Sequence, residues 1–115
     1  MKFKLLTTEL INKLHRDVYQ FRTTYGLPIN DYQCLTDEEC ELHTSLIVEE
    51  LTELCDARTF VDQVDAIVDS VYVLVGRNVH DLGDIEITEE RAQSIVNNHL
   101  IDILLQVAER KGFNF

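Results

Sequence analysis

Helix start signals constrain this chain of 115 residues more than any other feature. Four times, a threonine precedes a segment in which apolar residues recur at helical spacing and acidic residues occupy the first turn. The predicted N-caps are Thr7 or Thr8, Thr36, Thr59 and Thr88. Glu39 follows Thr36 by three residues, which is the pattern of a capping box. No stretch alternates polar and apolar residues as a half-buried strand would, so the sequence predicts an all-α fold of four helices.

Helix stop signals and short connections define the domain organisation. The four predicted helices end near Gly26, Arg58, Val79 and Gly112. Because no repeat, low-complexity tract or linker separates them, we expect one helical domain over residues 1–115. The link near Arg58 is almost absent, which predicts that the second and third helices pack as an antiparallel hairpin.

The charge balance bears on partners and compartment. The chain has 10 Lys and Arg against 21 Asp and Glu, a formal net charge of -11, which repels nucleic-acid phosphates and anionic membrane surfaces. The N-terminal apolar run is too short for a signal peptide, and no run approaches the roughly 18 apolar residues of a membrane span. The three cysteines lack disulfide or zinc spacing and are typical of free thiols in a reducing compartment. We therefore expect a cytoplasmic protein with no nucleic-acid and no membrane partner.

The segment 48–76 places an unusual number of carboxylates within otherwise apolar helices. With about 100° between successive residues, the carboxylates fall on one side of each predicted helix. They are Glu49, Glu50 and Glu53 on the second helix and Asp62, Asp65 and Asp69 on the third. An antiparallel hairpin would bring five or six of them together, where like charges raise one another's pKa and destabilise the fold. A divalent cation removes that cost, and all-oxygen ligands suit Mg2+ or Mn2+.

Apolar residues surround the second predicted helix. Leu42 and Leu46 share the arc of the glutamates, and the opposite side carries further apolar side chains. This pattern predicts a central, buried helix. Since one chain of this length cannot cover such a helix by itself, we expect a homodimer or homotetramer.

Three blocks of the sequence resemble a known family, the all-α nucleotide pyrophosphohydrolases of the MazG-like and phosphoribosyl-ATP pyrophosphohydrolase-like group. The blocks are "VYQFRTTYGLP" at 18–28, "LIVEELTEL" at 46–54 and "DAIVDSVYVLVG" at 65–76. The resemblance implies an oligomeric four-helix bundle of the all-α nucleoside triphosphate pyrophosphatase type. It also implies cleavage of a nucleoside triphosphate between the α and β phosphates, which gives the monophosphate and pyrophosphate with Mg2+ as the cofactor and Mn2+ as the alternative.

The resemblance also implies roles for individual carboxylates. Glu50, Glu53 and Asp69 match the family's metal ligands. The family has a further Glu three residues before this Asp, where the present chain has Ala66. Asp65 is the nearest substitute as a metal ligand.

Two further assignments leave alternatives open. Asp62 is the second candidate to replace the missing Glu, and the sequence does not choose between the two aspartates. Glu49 is similar to the family Glu that acts as general base toward the attacking water, with one more metal ligand as the alternative.

Other candidates for substrate contacts follow from residue type alone. His43 is either a phosphate contact or a surface or partly buried histidine. Tyr72 is expected to pack, and Tyr25 or Tyr32 is either a surface aromatic or a residue that stacks on a base. The basic residues that could clamp a triphosphate are Lys13, Arg16, Arg22, Arg77 and Arg91. A second hypothesis is a non-catalytic acidic helical interaction module on the same fold. Dependence on a divalent cation would distinguish the enzyme from this module.

Overall fold

A computed structural model describes residues 2–30, 34–83 and 86–115. These residues form five helices, and none of them forms a strand. The helices are α1 (Thr8–Thr24), α2 (Asp37–Asp56), α3 (Phe60–Leu82), α4 (Glu89–Ser94) and α5 (Val96–Arg110). The predicted all-α class is confirmed. No helix within the described ranges is both long enough and apolar enough to cross a membrane.

The predicted helix starts are confirmed at all four threonines. Thr7 is the N-cap of α1, and Thr36, Thr59 and Thr88 cap α2, α3 and α4. The capping box is complete because the Glu39 N–H donates to Thr36 Oγ1 (3.2 Å) and the Thr36 N–H donates to Glu39 Oε1 (2.9 Å). These bonds satisfy backbone donors that the first helical turn leaves unpaired.

The predicted fourth helix is wrong as one continuous element, because it breaks at Ile95. This residue has extended backbone angles, φ -87° and ψ 119°, and separates α4 from α5. The buried Asn98 side chain stabilises the break, since its Nδ2 donates to Ala92 O (2.9 Å) and its Oδ1 accepts from Asn78 Nδ2 (2.7 Å). Apolar periodicity continues across the break and therefore gave no sign of it.

The central helix is α3, which packs against α1, α2 and α5. Its buried residues supply much of the core, with Ile67, Val71, Val75 and Val79 fully inaccessible. The prediction that the second helix is central and buried is wrong for the single chain. Helix α2 packs chiefly on α3, while Val48 on its outward side is 56% exposed.

The end of α3 is tied to the segment after α1. Helix α3 continues to Leu82, three residues past the predicted end, and Gly83 closes it in the left-handed conformation (φ 67°). A Cβ on Gly83 would lie 2.2 Å from Asn30 O, so only glycine fits here. The Asn30 N–H donates to His80 O (2.8 Å), which holds the segment after α1 against α3.

Candidate metal centre and adjoining cavity

Three predicted metal ligands converge between α2 and α3. One carboxylate oxygen from each of Glu50, Glu53 and Asp69 lies within 4.8 Å of the others. Glu50 and Glu53 are three residues apart and share a side of α2, and the tight link at residues 57–59 brings Asp69 of α3 opposite them. The predicted meeting of the two acidic faces is therefore present in the fold.

The local electrostatics are unfavourable without a cation. Burial, together with the Glu53 and Asp69 carboxylates, raises the pKa of Glu50 to about 6. Burial also raises the pKa of Asp69, and the neighbouring Asp65 and Glu53 add to this effect. Among the described residues, Glu50 Oε2 is buried and has no hydrogen-bond partner. An unpaired carboxylate oxygen between two other carboxylates fits a hard divalent cation with oxygen ligands, such as Mg2+ or Mn2+.

The remaining predicted carboxylates lie around this triad and not within it. The predicted number of converging carboxylates, five or six, is therefore wrong. Glu49 is exposed beside Glu50, and Asp65 is exposed one helical turn before Asp69. Asp62 and Asp65 line an adjoining cleft of about 300 Å³, which they share with Glu53, Asp56, Ala57 and Ala66. Neither candidate for the missing ligand lines the cavity described next.

A cavity of about 550 Å³ adjoins the triad at Asp69. Helices α1, α2 and α3 form its walls, which are mostly apolar or aromatic. The lining residues are Val18, Phe21, Arg22, His43, Leu46, Val68, Asp69, Tyr72, Val73 and Gly76. The volume lies within the usual range for small-molecule sites, and a few polar groups in an apolar wall are typical of them.

The structure distinguishes Arg22 from the other basic candidates, because it alone of the five lines this cavity. Its Nε and Nη2 donate to Pro28 O (3.0 and 2.6 Å), and burial lowers the pKa of the guanidinium. A Cβ at Gly76 would lie 3.7 Å from Arg22 Nη1, an ordinary van der Waals distance, so this arrangement would also accommodate alanine. By contrast, Arg16 forms an ion pair with Glu86.

Sequence reasoning missed a buried histidine pair, of which His43 lines the cavity. His43 is 4% exposed and His80 is 3% exposed, and His43 Nε2 lies 2.9 Å from His80 Nδ1. His80 Nε2 lies 2.6 Å from Glu39 Oε2. The two histidines are 37 positions apart in sequence, so only the register of the α2–α3 hairpin could have paired them.

The aromatic predictions have mixed outcomes. Tyr72 is 43% exposed and lines the cavity, so its assignment to packing is wrong. Tyr25 is 68% exposed and its ring contacts Phe21, with ring centroids 4.8 Å apart. The alternative base-stacking candidate, Tyr32, lies outside the described residues.

Comparisons with protein-family models, with curated proteins and with solved structures find no match for this chain. The case for a function therefore depends on the chemistry of the triad and the cavity.

Proposed function

We propose that this chain is a Mg2+-dependent nucleotide pyrophosphohydrolase that cleaves a nucleoside triphosphate or related nucleotide to the monophosphate and pyrophosphate. The observation that supports this most is the position of Asp69, which belongs both to the carboxylate triad and to the wall of the cavity. A divalent cation at the triad would attract phosphates, and the apolar cavity beside it has room for a base and sugar. The family resemblance supplies the expected site of cleavage.

The proposed chemistry divides the carboxylates between two tasks. Glu50, Glu53 and Asp69 hold the ion, with Mn2+ as the alternative. When bound, the ion neutralises phosphate charge and lowers the pKa of the attacking water. Glu49 takes a proton from that water. The water oxygen bonds to the α phosphorus, the bond from the α phosphorus to the bridging oxygen breaks, and pyrophosphate leaves with the electron pair.

The test is a pyrophosphate-release screen against standard and modified nucleoside triphosphates, with Mg2+, with Mn2+ and with a chelator. Asp69→Asn is the inactive control, because it removes charge from the triad while keeping the size of the side chain. We expect release that requires the ion and is abolished in the variant. Production of a diphosphate and orthophosphate would contradict the proposed bond cleavage.

Two observations favour a second candidate, the non-catalytic interaction module. Ala66 occupies the position of the family's remaining acidic ligand, and it is 3% exposed. The outward side of α2 also exposes apolar residues, with Val48 56% and Leu51 40% accessible. If no nucleotide is cleaved with either ion, the non-catalytic interaction module becomes the better hypothesis for the function of this chain.

The same outward side of α2 supports the proposal of a homodimer or homotetramer. Val48 and Leu51 are exposed in the single chain, and covering them with a second copy would remove apolar surface from water. Sedimentation of the wild type and of Val48→Glu tests this. A monomeric wild type at micromolar concentration would contradict it. An oligomeric wild type together with a monomeric Val48→Glu variant would support it.

A further inference from the structure

One wall of the cavity is a single stripe of α3 that begins at a carboxylate. Asp69, Val73 and Gly76 all line the cavity, and their spacing of four and then three residues places them on the same side of the helix. At a rise of about 1.5 Å per residue, Gly76 lies about 10 Å along α3 from Asp69. A molecule of about that length with one end at Asp69 therefore has its other end at Gly76.

A cation lies over the Gly76 end of this stripe. Arg22 of α1 is half-buried and lines the cavity, and a Cβ placed on Gly76 would lie 3.7 Å from its Nη1 atom. The Nε and Nη2 atoms donate to Pro28 O, which holds the guanidinium in this position. Among the described residues, Nη1 has no hydrogen-bond partner, so its N–H groups are available to a molecule in the cavity.

The charge of Arg22 is not compensated by its surroundings. Burial lowers the pKa of the guanidinium, and no carboxylate in the described part of the chain forms an ion pair with it. The other basic side chain in the cavity wall, His43, is neutral because burial lowers its pKa to about 4. A guanidinium has N–H donors and no acceptor, so the group opposite Nη1 must be an acceptor, and it gains a charge-assisted hydrogen bond there.

We propose that Arg22 Nη1 donates a hydrogen bond to the carbonyl oxygen on the far edge of a nucleotide base, which makes Arg22 a specificity-determining residue. The inference rests on the proposed function for the nature of the occupant, a nucleotide with its phosphates at the carboxylate triad. The base is the part of a nucleotide farthest from the phosphates, so it lies at the Gly76 end. Uracil, thymine, guanine and hypoxanthine carry an oxygen on this edge, whereas cytosine and adenine carry an amino group that would face Nη1 donor to donor.

The walls between the two ends of the cavity favour a base over a phosphate as the partner of Arg22. These walls are apolar or aromatic, and they include Phe21, Tyr72 and Val73. The phosphates of one nucleotide are consecutive and stay together near the cation, and moving a hydrated anion against apolar side chains is unfavourable. A planar base instead gains from contact with apolar and aromatic side chains.

The test compares nucleotides that differ at this position of the base. Titration calorimetry at pH 7.5 with Mg2+ would measure the binding of inosine against adenosine 5′-monophosphate, and of uridine against cytidine 5′-monophosphate. In the pair that binds the wild type, we expect the nucleotide with the oxygen to bind about tenfold more tightly or better, as a hydrogen bond from a charged donor implies. Arg22→Met has no donor, so in this variant the ratio of the two affinities should fall below about threefold.

Arg16→Met is the matched control. Arg16 lies on the same helix, pairs with Glu86 and does not line the cavity, so its loss should leave the ratio as in the wild type. Loss of the hydrogen bonds to Pro28 O in Arg22→Met would by itself weaken both nucleotides of a pair alike. The ratio therefore isolates the contact with the base from a structural role of Arg22.

Several outcomes would overturn the inference. They are a wild type that binds none of the four monophosphates, a wild type without preference for the oxygen, and an Arg22→Met variant that keeps the wild-type ratio. If this variant does not fold or binds too weakly to measure, guanidinium nitrogen-15 NMR of the wild type decides. An Arg22 Nη signal that moves more with the oxygen-bearing nucleotide than with its amino counterpart supports the inference, and an equal or absent response refutes it. Because binding is measured without turnover, absence of pyrophosphate release alone would refute the proposed reaction and leave base recognition standing.

Discussion

Glu50→Gln should stabilise the chain when no cation is present, although it removes a carboxylate of the proposed active site. Glu50 has a pKa of about 6 against an ordinary 4.5. A carboxyl group raised this far destabilises the folded state by about 2 kcal/mol when ionised, and solvent screening reduces this to about 1 kcal/mol. Thermal unfolding in a chelator at pH 7.5 should therefore show a melting temperature about 3 to 5 °C higher for the variant.

The pH dependence of that difference follows from the sign of the shift. Because the folded-state pKa of Glu50 is the higher one, its protonated form favours the folded state, and that advantage is lost as the pH rises from about 4.5 through about 6. Well below pH 4.5, Glu50 is protonated in both states. Wild type and variant should then unfold at nearly the same temperature.

Adding Mg2+ should reverse the order of stability. An ion that binds only the folded chain stabilises it by mass action, by about 2.7 kcal/mol at a concentration 100 times the dissociation constant. The variant has lost one ligand and should gain less. Glu41→Gln is the matched control, since it removes a negative charge from the exposed surface of α2 outside the triad. A Glu50→Gln variant that is less stable than wild type in chelator at pH 7.5 would contradict this expectation, and so would equal stabilisation of both proteins by Mg2+.

Three further predictions concern single carboxylates. Glu49→Gln should lower turnover, measured by pyrophosphate release, by about 100-fold to 10,000-fold. Its metal affinity, measured by calorimetry, should stay unchanged, and a parallel loss of metal affinity would make Glu49 a metal ligand instead. Asp65→Asn should weaken Mg2+ binding more than Asp62→Asn, because Asp65 lies close enough to Asp69 to raise its pKa; the reverse order would make Asp62 the substitute ligand. Burial disfavours ionisation of Asp102, but backbone N–H donors from residues 4–6 outweigh it and lower its pKa. Asp102→Asn should then cost about 2 to 3 kcal/mol at pH 7, and denaturant unfolding should show this loss shrinking below about pH 4.

Local signals in the sequence predicted most of the fold, because helix starts depend on near neighbours. A threonine side chain and the backbone two or three residues later are enough to form an N-cap, and all four predicted caps are present. The break at Ile95 could not be predicted in this way. It depends on a hydrogen bond between Asn98 and Asn78, which are 20 positions apart and meet only after the helices pack.

The burial of α2 was misjudged for a related reason. Apolar residues on nearly all sides of a helix indicate that its surface should be covered, but they do not say whether the same chain covers it. Helix α3 occupies the centre because three other helices contact it, while Val48 and Leu51 of α2 remain exposed. A single sequence cannot separate a helix buried in its own chain from one covered by a second copy.

The histidine pair had one local signal that could have been used. His43 and Glu50 are seven residues apart, which is nearly two full turns, so both lie on the side of α2 that faces α3, about 10 Å from each other along the helix. An antiparallel partner helix must then bring something polar opposite each of them. From Asp69 to His80 along α3 is eleven residues, about 16 Å, so the histidine contact needs the two side chains to reach along the helices and does not follow from the register alone. The packing of α2 on α3 nevertheless holds both the carboxylate triad and the histidine pair, and a substitution that slides α2 along α3 should alter cation affinity and the His43–His80 contact together.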